Sequence, residues 1–288
     1  MDLIKLHERI DIIMCTYNSD KPYFHVVLQR IFQEIPVHCF IAVDRYSSDG
    51  TVNKILKIFP KAKVILSKEN LGKAREIGIN VADTPLFAFI DDDVLLLKGW
   101  YEYTRGLMDN RMGAVACYAN DKTHLTRGLY KFATRPRLVV SSKKNVDSQR
   151  GFTYATLIRK VAVASWKPDR TLVACEDHEF LRHVVKRGFL WLTSYFAFAE
   201  HLQPDQNYFT FFRNIWRKTA WNTAGCRNTG LIKLNPVQLI FRSLLKFWSG
   251  IKESISSRNA LVLTYHSIDA LAFFYSYICW RKHLFLRR

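Results

Sequence analysis

Three consecutive carboxylates, Asp91-Asp92-Asp93, stand directly after the apolar run Leu86 to Ile90. Like charges at that spacing repel, so a pocket holding them needs a compensating cation, most economically a divalent metal with oxygen ligands. A solvated turn or a helix cap explains such a triplet in isolation. Its place at the end of a buried run, with Val94-Leu95-Leu96 following, favours the metal site. A second acidic pair, Glu176-Asp177, precedes a helical pattern from Glu179 to Lys186, where helix amides can orient a carboxylate as a general base. A charge pair at a helix N-terminus is the competing explanation. Neither G-x-x-x-x-G-K-[ST] nor G-x-G-x-x-G occurs, which argues against P-loop and dinucleotide chemistry.

These residues need a frame. Short apolar runs rich in Ile, Val and Phe recur at Ile12–Cys15, Cys39–Val43, Val64–Leu66 and Leu86–Ile90, with helical patterns between them at Val26–Glu34, Thr51–Phe59 and Gly72–Ala82. Continuous apolar strands alternating with helices of that length predict βαβ units and a parallel sheet covered on both faces. Ligands of such sheets bind beyond the carboxyl ends of the strands. Those ends are polar here: Thr16-Tyr17-Asn18 after the first run, Asp44 through Thr51 after the second, and the Asp triplet after the fourth.

Taken in order, Cys15-Thr16-Tyr17-Asn18, Val43-Asp44 with Ser48-Asp49-Gly50-Thr51, Asn70-Leu71-Gly72, Asp91-x-Asp93 and Glu176-Asp177 resemble the motifs of family 2 inverting glycosyltransferases. The resemblance covers roughly residues 10 to 205 and extends to membrane-associated mannosyltransferases of lipid-linked glycans and dolichyl phosphate. It implies the Rossmann-like nucleotide-diphospho-sugar transferase (GT-A) fold. It further implies that Thr16, Tyr17 and Asp44 hold the nucleotide base, that Asp91 faces the ribose, and that Asp93 ligates a Mg²⁺ or Mn²⁺ ion on the diphosphate. His201 falls where family members carry a metal- or diphosphate-binding His, Asp91 is a further candidate ligand, and Lys73 and Arg75 are candidates for the diphosphate. Asp177 is implied as the base, with Glu176 beside it. The chain departs from the family at Cys15, where Pro is usual, and in a shortened Asn70–Gly78 segment with Glu76 where Asn is frequent. The Q-x-x-R-W motif of processive synthases is not reproduced.

The 288 residues, 49% hydrophobic with only 12 Gly and 8 Pro, exclude collagen, coiled coil and disorder. The net charge of +18 points to an anionic partner: nucleic acid, phosphorylated small molecules or acidic lipids. From Phe211 onward thirteen Lys and Arg face two acids, a net +11, beside the apolar runs Pro236–Lys252 and Ala260–Trp280. The second run is long enough to span a bilayer, although Asp269 near its middle makes spanning costly; the first fits a basic amphipathic helix on an anionic leaflet. The expected organisation is therefore a catalytic domain at 1–210 and a helical membrane-association region at 211–288, at the cytoplasmic face. The start, MDLIKLHERID, carries charge where a signal peptide needs an apolar stretch. The six cysteines form no C-x-x-C and suggest neither a disulfide framework nor a zinc site, so reduced thiols are the default expectation.

The expected reaction moves a sugar from a GDP- or UDP-sugar, GDP-mannose by preference, to a hydroxyl of a lipid-linked glycan. A polyprenyl phosphate, the alternative acceptor, arrives deprotonated and gains little from a base, whereas an alcohol needs one. A nucleic-acid binder leaves the Asp triplet unexplained, since the triplet repels phosphates. A non-catalytic membrane scaffold has no reason to keep both acidic motifs.

Overall fold

The computed structural model describes residues 8–121, 136–149, 151–169, 174–202, 207–228, 230 and 232–280. The basic residues after Trp280 that flank the second apolar run lie outside the described residues. The chain divides into two compact units. One comprises residues 1–121, 136–170 and 176–202, and the other comprises 122–135, 171–175 and 203–288.

The first unit is built on one mixed sheet. Strands β1 (Ile10–Thr16), β2 (Val37–Asp44), β3 (Lys63–Leu66) and β4 (Leu86–Ile90) are parallel and joined through helices α1 (Phe24–Glu34), α2 (Thr51–Ile58) and α3 (Leu71–Val81). The expected runs thus become strands: β1 and β2 are three residues longer than expected, β3 one residue longer, and β4 has the expected bounds. Beyond β4 the sheet departs from the parallel expectation. The added strands are β5 (Val94–Leu96), β6 (Met112–Asp121), β7 (Leu138–Ser141), β8 (Ala155–Arg159) and β9 (Leu190–His201), with α4 (Trp100–Leu107) and α5 (Glu176–Lys186) between them. The order is β3-β2-β1-β4-β8-β6-β9-β5, with β7 also on β9. Strand β8 runs antiparallel to both β4 and β6, and β5 runs antiparallel to β9.

Strand alternation splits the core into two layers. Ile10, Ile12 and Met14 pack with Phe24, Val27, Leu28 and Ile31 of α1 and with Trp100 and Tyr101 of α4. Ile13 and Phe87 and Phe89 of β4 face the other way, onto Ala74 and Ile79 of α3 and Phe180, Leu181, Val184 and Val185 of α5. This is the period-2 pattern of a sheet buried on both faces. Helix α3 approaches β1 closely at Gly78, where an added Cβ would lie 2.4 Å from Ile13 Cγ2.

The second unit contains α6 (Tyr208–Asn228), α7 (Pro236–Ser257) and α8 (Ala260–Ile278). Asn235 caps α7 in a capping box with Gln238, Arg258 ends it in the left-handed conformation at φ 52°, and Asn259 caps α8 at once. Two long helices are thereby folded back on one another. Helix α8 packs against both α6 and α7. Asp269 accepts hydrogen bonds from Thr219 Oγ1 at 2.7 Å and from Lys246 Nζ. Among the described residues no helix is long and apolar enough to cross a membrane, so the spanning geometry considered for Ala260–Trp280 is not supported. Its apolar residues Val262, Ala270, Ala272, Phe273 and Tyr277 are core, and its acid is a partly buried interhelical acceptor.

The cysteines require a correction. Cys175 and Cys226 form a disulfide within the second unit, and Cys15, Cys39, Cys117 and Cys279 are free. A separation of 51 residues is no motif; only folding α6 back against Ala174 and Cys175 brings the pair together.

Gly78→Ala is expected to lower stability by ~1–3 kcal/mol, because overpacking against Ile13 outweighs the gain in helix propensity. A urea midpoint equal to or above that of the parent chain would contradict the close approach of α3 and β1.

Candidate active site

The polar ends of β1 and β2 are laced together. Their register pairs Thr16 with Asp44, and Thr16 Oγ1 donates to Asp44 Oδ1 at 2.7 Å. Ser47 donates its amide to Asp44 Oδ2 at 2.7 Å and its hydroxyl to Oδ1 at 2.6 Å. Asp44 is wholly buried, so these bonds hold its carboxylate in one orientation. Asn18, at φ 48°, donates its amide to Ser47 Oγ and accepts from the Ser48 amide on its side-chain oxygen. Tyr17 stands 60% exposed at the edge of this cradle, with the Arg45 guanidinium 5.6 Å from its ring centre. Thr16, Tyr17 and Asp44 are therefore adjacent: two polar groups at the base and an aromatic face beside them, the elements of a planar-base site.

Each carboxylate of the triplet has its own basic side-chain neighbour, and the three come from different segments. Arg75 of α3 donates to Asp91 Oδ1 at 3.2 Å. Lys21 lies 3.7 Å from Asp92. His201 Nδ1, at the end of β9, lies 3.6 Å from Asp93 Oδ1. The β5–β9 ladder sets this last contact by pairing Val94 with His201, while the Leu202 amide donates to the Asp93 carbonyl at 2.7 Å. Asp91 is fixed from the opposite side, its amide donating to the Tyr154 carbonyl at 3.0 Å.

Arg75 also donates to Glu176 Oε1 at 2.9 Å, is only 3% exposed, and lies 5.4 Å from the Phe89 ring centre. This guanidinium, one of the two diphosphate candidates, is enclosed between two carboxylates, and Lys73, the other, is ion-paired with Glu76 one turn along. Burial alone would lower the Arg75 pKa, but Asp91 and Glu176 outweigh it and raise it. Burial raises Asp91, against the pull of Arg75, and raises Glu176, against Arg75 and with the help of Asp177. For Asp93 burial also pushes upward, yet the His201 contact prevails and holds the carboxyl below its ordinary range. Asp177 sits beside Glu176 in the first turn of α5, its Oδ1 accepting from the His178 amide at 2.9 Å. The helix begins at Glu176, three residues before the pattern suggested.

The donor set suits a hard divalent ion in a limited way. Among the described residues no cluster of three or more His, Cys, Asp and Glu forms a complete site. Asp93 and the buried His201 Nδ1, which has no hydrogen-bond partner, supply one oxygen and one nitrogen. Mg²⁺ and Mn²⁺ are commonly held by one or two protein ligands with substrate phosphates completing the shell, so the pair fits such an ion. Asp91 faces Arg75 in this arrangement.

The sequence from residue 11 to 167 matches the family described as Glycosyl transferase family 2. The chain belongs to that family. No curated protein is matched by its sequence. Among solved structures, it resembles a mannosyltransferase, PcManGT from Pyrobaculum calidifontis, in complex with GDP-Man and Mn²⁺. The TM-score is 0.60 at 14% identity, over 97% of this chain and 74% of that one. It also resembles residues 1–349 of S. aureus TarS in complex with UDP-GlcNAc, with a TM-score of 0.53 at 14% identity over 97% and 93% of the two chains. At such identity these likenesses establish a shared fold. The family membership makes the chain a glycosyltransferase, and the acidic triplet, the Glu176-Asp177 pair and the Thr16–Asp44 cradle all lie in its mixed-sheet unit.

Lys21, the cationic neighbour of Asp92, and the double role of Arg75 were not foreseen, since no spacing links them to the acids they meet. Arg75→Met is expected to destabilise the fold by about 3–5 kcal/mol, because Asp91 and Glu176 lose the cation between them. Arg75→Lys, with one point charge for two separated carboxylates, should recover part of that loss. Urea denaturation checks both, and an unchanged midpoint for Arg75→Met would exclude a structural role for the ion triad.

Proposed function

We propose that this glycosyltransferase is a metal-dependent inverting enzyme moving mannose from GDP-mannose to a hydroxyl of a lipid-linked glycan at the cytoplasmic face of a membrane. The observation carrying the reading is the chain of contacts His201–Asp93, Asp91–Arg75–Glu176 and the adjoining Asp177. It ties a metal-suited pair to a candidate base through one buried guanidinium. When bound, a divalent ion supplies Lewis-acid neutralisation of the leaving nucleoside diphosphate. The chain's own residues do the rest. Thr16, Tyr17 and Asp44 orient the base, and Arg75 holds the Asp91 and Glu176 loops at fixed separation. Asp177 accepts the proton of the attacking hydroxyl as the new bond to the anomeric carbon forms and the bond to the diphosphate breaks. The likeness to a mannosyltransferase structure containing GDP-Man and Mn²⁺ supports this donor and metal; the likeness to TarS with UDP-GlcNAc supports a UDP-sugar as the second reading.

The membrane part rests on α7. Val237, Phe241, Leu244, Trp248 and Ile255 recur at spacings of three, four and seven, and each is exposed, from 59% to 74%. The flanking Lys233, Arg242, Lys252 and Arg258 are exposed as well. An unpartnered apolar stripe with basic flanks on a 22-residue helix suits the headgroup zone of an anionic leaflet, with the helix lying in the plane.

Asp177→Asn should keep donor binding and reduce transfer roughly 10²–10⁴-fold, the usual contribution of a general base. Asp93→Ala should abolish nucleoside diphosphate release, as should EDTA. Tens of per cent of parent turnover in Asp177→Asn would favour a lipid phosphate as nucleophile, and full activity in EDTA would overturn the metal-dependent mechanism.

Co-sedimentation tests the α7 surface separately. The parent chain should pellet with vesicles containing phosphatidylserine and less with pure phosphatidylcholine, and Phe241→Ser/Trp248→Ser should remain in the supernatant. Equal recovery of both proteins with the anionic vesicles would contradict the lipid contact.

A further inference from the structure

A run of aromatic rings starts at the metal-suited pair, on a segment that also lies against the candidate base, and the donor machinery makes no use of it. The Tyr154 ring lies 4.6 Å from His201, edge to face. Phe152 follows at 5.4 Å from Tyr154 and packs edge-on against Tyr118 at 5.7 Å. Tyr118 stacks on Tyr195 at 5.4 Å with the planes 28° apart, and the Arg137 guanidinium lies 4.6 Å from the centre of the Tyr195 ring. All four rings are partly exposed, and all belong to the mixed-sheet unit. Gly151, the chain neighbour of Phe152, is pressed on the first turn of α5, where an added Cβ would meet the Asp177 carbonyl at 2.5 Å. The rings therefore start at His201, and the segment that carries Phe152 lies against the backbone of Asp177.

In an inverting transfer the acceptor approaches the anomeric carbon from the side opposite the diphosphate, next to the base. An alcohol held there needs a surface beside Asp177. We infer that Tyr118, Phe152, Tyr154 and Tyr195 form an acceptor subsite that stacks the apolar face of a pyranose ring and presents one of its hydroxyls to Asp177. The chemistry matches a saccharide better than an alkyl chain. Aromatic faces suit the axial C–H groups of a sugar, while three tyrosine hydroxyls and the Arg137 guanidinium offer polar partners within the same surface. The step balances: the hydroxyl proton passes to Asp177, the acceptor oxygen bonds to the anomeric carbon, and the nucleoside diphosphate departs with the bonding electrons. This inference rests on the glycosyltransferase reading with a hydroxyl acceptor and names its substrate class.

Saturation-transfer NMR tests it on the full chain with methyl α-D-mannoside, methyl β-D-glucoside and methyl N-acetyl-β-D-glucosaminide as probes, and farnesyl phosphate as the lipid comparison. GDP and UDP with Mn²⁺ are followed in parallel by thermal shift. The parent chain should saturate the ring protons of at least one glycoside. Phe152→Leu and Tyr195→Leu, which keep apolar bulk and lose the ring, should weaken that glycoside roughly fivefold. Nucleotide-induced stabilisation should be unchanged in both variants, which also reports that they are folded. Equal glycoside binding in parent and variants, or saturation of farnesyl phosphate and of no glycoside, would overturn the subsite. Glycoside binding lost in the variants, from a parent stabilised by neither nucleotide, would keep the saccharide site and defeat the transferase mechanism instead.

Discussion

Arg75 meets Glu176 and Asp91, residues 101 and 16 positions away in the chain, through opposite nitrogens of one planar guanidinium that water barely reaches. Two carboxylates brought this close without a cation would repel and protonate, and a cation buried without them would carry a heavy desolvation penalty. The three groups are tolerable only together, which ties the loop after β4 to the start of α5. A fork of fixed geometry does this better than a flexible ammonium. The remaining acids follow from it. With Asp91 paired with Arg75, Asp92 turns to Lys21 and Asp93 to His201, so the triplet is shared among three basic side chains.

The sheet explains why those neighbours converge. Its parallel half brings the ends of β1, β2 and β4 to one edge, as any such sheet must. The antiparallel insertions supply the rest: β8 lays Tyr154 against Asp91, and the long β9 carries Tyr195 and His201 and pairs with β5 immediately after Asp93. The acidic triplet and the aromatic surface thus share one hydrogen-bonded framework, and a change in β9 register would shift both.

Helices α7 and α8 treat apolar sequence in opposite ways. In α8 one face of it, Val262, Ala270, Ala272, Phe273 and Tyr277, is buried, and Asp269, the one acid there, is satisfied by Thr219 and Lys246. In α7 a comparable number of large apolar side chains face outward, Leu239 being the large one that is buried. A polar group inside a hydrophobic run therefore marks different things in different surroundings: in lipid it is a penalty, in a helical core it is a tie.

Much of this was legible along the chain, because some features depend on neighbours in sequence alone. The period of apolar residues set strands near 12–15, 39–43, 64–66 and 86–90, and the polar residues after them marked the family and pointed to the candidate site. Short motifs are local, and their chemistry survives in a string of letters. What folding alone decided are the long-range pairings. No motif announces that Asp91 and Glu176 enclose Arg75 or that Lys21 meets Asp92, and Cys175 and Cys226 meet only when α6 folds back. The aromatic surface is likewise invisible in sequence, since Tyr118, Phe152, Tyr154 and Tyr195 come from β6, the approach to β8 and β9. Periodicity shows that a residue faces inward or outward; which distant residue it faces depends on strand order and register, and those are settled by packing the whole sheet at once.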